Sequence, residues 1–195
     1  MKLLRNLLAL IGVGAIAVVI WGAIEMMPYY KSFQAFDDKA LDTYIDMGKK
    51  LLASGNAAEA TIWRRQVKDD LSVEDVEDVM KSVANELNIK NVGQLPLSKQ
   101  VETMTGKKQR FLKIYMYCNP LTAAKMVDYS DSFSAYLPCR VSLVEDKQGK
   151  FWIYSLNMDM MIHGGKPLPP ELKADAEHVR EVILAIMDRS ASGEF

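Results

Sequence analysis

An uninterrupted apolar run near the amino terminus constrains this chain more than any other feature. Residues 7–24 read LLALIGVGAIAVVIWGAI, with Lys2 and Arg5 before the run and Glu25 after it. As a helix, this run spans about 27 Å at ~1.5 Å per residue, close to the hydrocarbon thickness of a bilayer. Because basic residues flanking a membrane segment prefer the cytoplasm, the run predicts a single-pass anchor in a bacterial inner membrane. The amino terminus is then cytoplasmic and the rest of the chain periplasmic.

A cleavable signal peptide is the alternative to an anchor. Such a signal has an apolar region of about 7 to 15 residues, followed by small residues at the cleavage site. Ala15 and Ala17 are small, but the apolar segment VVIWGAI still follows them. The sequence therefore favours an uncleaved anchor over residues 1–27.

The chain after the anchor divides into a juxtamembrane part and one domain. Residues 28–36, PYYKSFQAF, form an aromatic and polar collar typical of a membrane interface, which we interpret as a spacer. A helical pattern follows, with Asp37 or Asp38 as its cap and Gly55 as its stop, and it predicts a stalk helix. Collar and stalk together occupy residues 28–58. The remaining residues, 59–195, are enough for one domain with its own core.

Charge and motif content narrow the classes of function. The chain has 24 basic and 25 acidic residues mixed along its length, for a net charge of −1, so nucleic-acid binding is not predicted. It contains no Walker loop, Rossmann glycine pattern, HExxH or CxxCH, and neither histidine has a partner spacing typical of nucleophilic catalysis. We therefore predict a non-catalytic periplasmic binding or accessory module. Its expected partner is a protein of a membrane or electron-transfer complex.

The pattern of the domain predicts an α+β fold, with a mostly antiparallel sheet and helices on one face. The clearest neighbouring strands are joined by a short turn at 146–149, which predicts a hairpin. The polar stretch 91–108 contains Gly93, Pro96 and Gly106, which predict irregular structure with at most one short strand. The predicted strands are 60–67, 111–117, 140–145 and 151–158, and the predicted helices are 72–88, 121–130 and 171–188.

Two cysteine-containing turns are the first candidates for chemistry. Cys118 stands before Asn119, a good N-cap, and Pro120, which is favoured at the first helical position. The positive end of that helix favours a thiolate and predicts a lowered pKa for Cys118. Cys139 precedes Arg140, whose charge adds to the positive potential. The candidate ligand or redox residues are Cys118, Asn119, Pro120, Pro138, Cys139 and Arg140.

The relative position of the two cysteines stays open at this point. If the helix after Cys118 leads to a parallel strand, the cysteines lie at opposite ends of the sheet. If residues 131–138 instead run back along the helix, the two sulfur atoms can meet. Buried structural cysteines, a disulfide, and a homodimer stapled through these residues are further alternatives. The absence of a CxxC motif counts against a dedicated oxidoreductase.

A second candidate cluster combines methionines with a histidine. Soft thioethers and an imidazole suit copper(I), or the iron of a non-covalently bound haem, in an oxidising compartment. Alternation along an extended strand places Met158 and Met160 on one face. The alternative is that these methionines simply fill the core. The candidate metal ligands are Met158, Met160, Met161 and His163.

Several short motifs of the domain are typical of a known family: YCNP at 117–120, Ala123 and Ala124, LPCRV at 137–141, and Gly149 in the hairpin. In these motifs the chain resembles the domain of unknown function 302 family. The resemblance covers residues 59–188 and implies a small α+β domain, often dimeric, with no assigned activity. The anchor, the stalk and the segment NMDMMIHGGKPLPP after the hairpin are additions to that pattern.

Overall fold

A five-stranded antiparallel sheet is the centre of the carboxy-terminal part of the chain. The computed structural model describes residues 2–195. The strands are β1 (Ile62–Gln66), β2 (Lys90–Leu95), β3 (Leu112–Cys118), β4 (Cys139–Glu145) and β5 (Phe151–Leu156). Their order across the sheet is β1-β5-β4-β3-β2, and each neighbouring pair is antiparallel. The predicted α+β class and the hairpin, formed by β4 and β5, are confirmed.

Helices precede the sheet, connect its strands and end the chain. A short 3-10 helix at Asp131–Tyr136 lies between the helix Pro120–Tyr129 and the strand β4. The α-helices are α1 (Lys2–Phe33), α2 (Ala40–Ser54), α3 (Ala57–Ala60), α4 (Val73–Glu86), α5 (Leu97–Thr105), α6 (Pro120–Tyr129), α7 (Asp159–His163) and α8 (Pro170–Ser192).

The first helix, α1, is apolar, and nearly all of its residues that the structure describes are exposed. Its segment Leu4–Phe33 has a mean hydropathy of 2.6 and is long enough to cross a bilayer. None of the residues in its most apolar stretch is buried. Its length and composition fit a membrane anchor or a signal sequence. The helix continues through Pro28 to Phe33, so the collar predicted as a spacer is largely helical. A proline removes one hydrogen bond from a helix without forcing the helix to end.

The sheet buries one face against α4 and α8. Alternate residues of β3, β4 and β5 point to this face, because successive side chains of a strand point to opposite sides. Tyr115 pairs with Val141, and Leu143 pairs with Ile153, so their side chains form one layer. All four are at most 2% exposed. The residues of α4 and α8 in the same core include Val79, Val83, Ile183, Ile186 and Met187.

The helix α5 lies where irregular structure was predicted, and that prediction is wrong. Pro96 occupies the N-cap position, and Gly106 ends the helix with a φ of 66°. Two of the three residues that predicted irregular structure, Pro96 and Gly106, are therefore the two ends of a helix. The apolar residues Leu97, Val101 and Met104 stand at helical spacing, but nine residues, of which only Ser98 is buried, are too few for a clear periodic pattern.

The start of α4 follows a local rule that the sequence contains. The Ser72 hydroxyl accepts the N–H of Asp75, while the Asp75 carboxylate accepts the N–H of Ser72, a reciprocal capping box. We expect Ser72→Ala to lower the melting temperature of the full chain by about 2 to 4 °C, because the cap is lost. Circular dichroism of the detergent-solubilised protein measures the shift. Ser134→Ala removes an exposed serine that caps no helix, and an equal shift in both variants would contradict the prediction.

Candidate functional site

A small apolar cavity lies at one end of β3 and β4, where the two cysteine-containing turns meet. Tyr117 of β3 pairs with Cys139 of β4, so Cys118 and Cys139 lie at the same end of adjacent strands. After α6 the chain returns through residues 131–138 and enters β4, which settles the two alternatives left open by the sequence. Both cysteines line one cavity with a volume of about 30 Å³.

The turn after Cys118 has the predicted geometry. The Asn119 side-chain oxygen accepts the N–H groups of Leu121 and Thr122 at 3.1 and 3.3 Å. Pro120 is the first residue of α6. Asn119 lines the cavity, whereas Pro120 is exposed. The local sequence thus fixes where α6 begins and brings its first turn to the cavity wall.

Methionines complete the wall, although in a different pairing from the predicted one. The strand predicted to reach Met158 ends at Leu156, and α7 begins at Asp159, whose N–H is accepted by the Asn157 side chain at 2.8 Å. The prediction that Met158 and Met160 share a strand face is therefore wrong. A spacing of three residues instead places Met158 and Met161 at the cavity, while Met160 is 38% exposed.

The cavity is rich in sulfur and has no charged wall. Met126 of α6 also lines it, so five sulfur-bearing side chains converge: Cys118, Cys139, Met126, Met158 and Met161. Neither a carboxylate, an imidazole nor an ammonium group is among the described residues that line it. Thiols and thioethers are soft ligands that favour Cu(I) over hard cations. The sequence named four of these five residues but not Met126, which the helical pattern of α6 assigns to the core.

The two cysteines are free thiols with raised pKa values. Burial raises the pKa of Cys139 to about 11, and the neighbouring Cys118 contributes to the rise. Burial also raises the pKa of Cys118, so the predicted lowering is wrong. The Asn119 side chain accepts the first free N–H groups of α6, and desolvation of the thiol is the cause of the rise. Both cysteines are therefore thiols, not thiolates, at neutral pH.

The remaining candidates from the cysteine turn lie outside the cavity wall. Arg140 is exposed, and its carbonyl oxygen accepts the hydroxyl of Ser155 at 2.9 Å. Pro138 follows a cis peptide bond from Leu137. Of these, only Leu137 lines the cavity. Arg140 acts on the site through its charge, which favours the ionised form of Cys139 and so lowers the pKa of that thiol, but by less than burial raises it.

His163 belongs to a buried network that joins the stalk to the domain. It is 2% exposed and does not line the cavity. Its Nδ1 lies 3.2 Å from Oδ1 of Asp37, which is 4% exposed, and its Nε2 lies 3.7 Å from Glu177. The Lys173 ammonium donates to the other oxygen of Asp37. The sequence predicted a metal ligand at His163, but the structure pairs it with a carboxylate from the start of the stalk.

Two backbone contacts hold the stalk at the same place. The Asp37 N–H donates to the carbonyl of Gly165 at 2.8 Å, and the Tyr44 hydroxyl donates to the carbonyl of Gly164 at 2.6 Å. Both acceptors directly follow α7, which carries Met161 of the cavity wall. The segment from Met158 to Gly165 therefore contacts the cavity on one side and the stalk on the other.

The network predicts a loss of stalk docking in acid. Burial pushes the pKa of Asp37 upward, but hydrogen bonds from Lys173 and from the Lys39 N–H outweigh burial and hold the pKa at about 2, below its ordinary 3.8. Because the docked state favours the ionised carboxyl, its contribution is complete above pH 3.8 and is lost as the pH falls towards 2. Pepsin cleavage within residues 37–58 should accelerate over this interval in the wild type. Asp37→Asn should cleave fast at every pH in it, and equal pH profiles would contradict the assignment.

The size of the cavity separates the two expected cofactors. Organic cofactor sites typically occupy about 300 to 1,000 Å³. A haem therefore does not fit the 30 Å³ cavity, whereas a single metal ion does. Clusters of three or more His, Cys, Asp or Glu side chains arranged to hold a metal are absent from residues 2–195. A metal held by more than two side chains of the five-sulfur wall thus needs thioethers as well as thiols.

The fold and the cysteine-containing turns define a small α+β domain of the kind suggested by the sequence. The family model of the domain of unknown function DUF302 matches residues 63–190, more than half of the chain, so the chain belongs to this family. The expected family resemblance is confirmed. Asp37 and α2 lie outside the matched range, and the docked stalk is therefore an addition to the family domain.

One solved structure shows the same fold. It is the crystal structure of an uncharacterised conserved DUF302 protein from Bacillus stearothermophilus, with 16% sequence identity and a TM-score of 0.54. The alignment covers 67% of this chain and 98% of that protein. At this identity the similarity concerns the fold alone. No curated protein matches this chain.

Proposed function

We propose that this chain is a membrane-anchored, non-catalytic binding module of the periplasm that holds one soft metal ion, Cu(I), in the five-sulfur cavity. The observation that carries the proposal is the convergence of two thiols and three thioethers, from β3, β4, α6 and the α7 segment, on one space of about 30 Å³. Cysteine and methionine are the protein ligands that select Cu(I), and a volume of this size suits an ion.

The chemistry of the wall supports selectivity for a thiophilic ion. A bound metal deprotonates its coordinating thiols, so binding releases protons. Burial raises the pKa of Cys139 to about 11, and a weakly thiophilic ion would not offset the cost of that deprotonation. The apolar wall also offers no carboxylate oxygen to Mg²⁺ or Ca²⁺.

The location follows from the apolar amino-terminal helix and its flanks. Lys2 and Arg5 precede the run of 7–24, which favours a cytoplasmic amino terminus and a periplasmic domain in a bacterial inner membrane. In that compartment the module serves as an accessory to a membrane or electron-transfer complex, to which it presents its ion. A homodimer, which the family resemblance implies, stays a prediction that size-exclusion chromatography with light scattering can test.

A thiol-redox role has weaker support from the same cavity. The thiolate is the form of cysteine that attacks a disulfide. Because the pKa values of both Cys118 and Cys139 are raised, the thiolate fraction of each is small at neutral pH. Metal binding meets the same cost of deprotonation, but the bond between a thiophilic ion and the thiolate offsets it.

Cu(I) titration of the full chain tests the proposal. The protein in detergent micelles competes anaerobically with bicinchoninate, whose Cu(I) complex is coloured. We expect one tightly bound ion per chain, and an affinity loss of at least about 100-fold in the double variant Cys118→Ser, Cys139→Ser. Replacing a residue that only supports a metal ligand typically costs about 10- to 100-fold in metal affinity, so replacing two ligands should cost at least as much.

A matched pair of methionine variants locates the ion. Met161→Leu removes a thioether from the cavity wall and should weaken Cu(I) binding by about 10-fold, whereas Met104→Leu alters a methionine that is 85% exposed on α5 and should leave it unchanged. Equal affinities in the wild type and the double cysteine variant would overturn the proposal. So would a loss of affinity as large in Met104→Leu as in Met161→Leu.

A further inference from the structure

A second cleft opens beside the five-sulfur cavity and shares two lining side chains with it. It lies between the segment 129–136, the end of β5 and the α7 segment, and it has a volume of about 550 Å³. Phe133 and Met161 line both spaces, so these two side chains form the partition between them. A volume of this size lies within the range of small-molecule sites, about 300 to 1,000 Å³.

Exposed apolar side chains of the domain are concentrated in this cleft. Single exposed apolar residues are normal on a surface, whereas a cluster marks a binding site. From residue 59 onward, eight large apolar side chains are exposed, and four of them line the cleft. The four in the cleft are Tyr129, Tyr136, Leu156 and Met160, and the four elsewhere are Val92, Met104, Leu121 and Phe195.

The wall of the cleft is aromatic, polar at its rim and uncharged. The rings of Tyr129 and Phe133 pack against each other with centroids 6.2 Å apart. The hydroxyls of Tyr129, Tyr136 and Ser132 make no hydrogen bond to any residue in the range 2–195. The residues that line the cleft include no Asp, Glu, Lys, Arg or His. The wall thus offers ring faces and free hydroxyls, and no counter-charge for an ion.

We propose that this cleft binds an uncharged, planar aromatic molecule that carries a hydrogen-bonding group. Ring faces and thioethers stack on a planar ring, and free hydroxyls bond a polar substituent. A charged ligand would lose its hydration in the cleft without gaining a partner charge, which opposes its binding. Of the five sulfur-bearing residues of the cavity, only Met161 also lines the cleft. The inference therefore does not rest on the metal proposal.

Binding of 2-naphthol to the full chain in lipid nanodiscs tests the inference. Methionine methyl groups labelled with ¹³C report the location, so probe dissolved in lipid does not confuse the result. We expect saturable shifts of the Met160 and Met161 methyl resonances and none for Met104, which lies on α5. The anion 2-naphthoate has the same ring system and should bind at least about 10-fold more weakly.

Two lysine substitutions form a matched pair for this test. Met160→Lys places a charge in the cleft and should weaken 2-naphthol binding at least about 10-fold, whereas Met104→Lys places the same charge elsewhere and should not. Tyr136→Lys repeats the test from the 3-10 helix should Met160→Lys disturb the spectrum of the free protein. Absent shifts at Met160 and Met161, equal binding of naphthol and naphthoate, or unchanged binding in both cleft variants would each overturn the inference. Because no copper is added, these results are independent of the outcome at the five-sulfur cavity.

Discussion

Replacing Asp37 with alanine should release the stalk from the domain, with a loss of about 3 kcal/mol, because the ammonium of Lys173 and the N–H of Lys39 then lose their carboxylate acceptor. Asp37 is 4% exposed and faces both His163 and Lys173. Removing its carboxylate takes away the acceptor of the Lys173 ammonium and the neighbour of Nδ1 of His163, whose Nε2 keeps Glu177 at 3.7 Å. The expected readout is hydrogen exchange of the α2 amides, which should accelerate at least about 100-fold as the docked state opens more often.

The control for Asp37→Ala is Asp42→Ala in the first turn of α2. Asp42 is exposed and belongs to the same stalk, but it makes no salt bridge to any residue from 2 to 195. Exchange in α2 should change little in this variant, while exchange in the core strands should stay slow in both. Similar α2 exchange in Asp37→Ala and the wild type would show that the network does not hold the stalk.

Ile183→Ala should strongly destabilise the domain. Ile183 is fully buried on α8, within the core between the sheet and α4. Loss of its branched side chain removes apolar contact and leaves a cavity, at a cost of about 2 to 5 kcal/mol. For a chain of this size the melting temperature should fall by about 2 to 4 °C per kcal/mol.

Ile45→Ala is the matched control for the core substitution. Ile45 lies on α2 and is 44% exposed, so its truncation creates no cavity. Circular dichroism of both variants in the same detergent should show a large drop for Ile183→Ala and a small change for Ile45→Ala. A drop of equal size in both variants would mean that the α8 core does not determine the stability of the domain.

Local signals predicted the parts of this structure that depend on neighbouring residues. The capping box at Ser72, the stop at Gly55 and the Asn119-Pro120 helix start are all present, because each is decided within a few residues. The α5 helix was missed because it is only nine residues long, has three apolar residues and lies between a proline and a glycine. Hydrophobic periodicity detects a helix only when one face is buried.

Contacts between distant residues were the part that the sequence did not reveal. Lys173 lies 136 positions from Asp37, and nothing in either local pattern indicates their pairing. The meeting of Cys118 with Cys139 was one of two open geometries, decided by the path of residues 131–138. The pairing of Met158 with Met161 depended on a change from strand to helix at Asn157, which one side-chain hydrogen bond initiates.

The docking of Asp37 so soon after α1 sets the reach of the domain. Helix α1 ends at Phe33, and Asp37 is already fixed to the carbonyl of Gly165. Four Cα steps span at most about 14 Å, so a domain docked in this way cannot sweep through the surrounding volume as one on a long linker can. With α1 held in a bilayer, a donor or acceptor of the domain's ligand must itself come to the membrane surface.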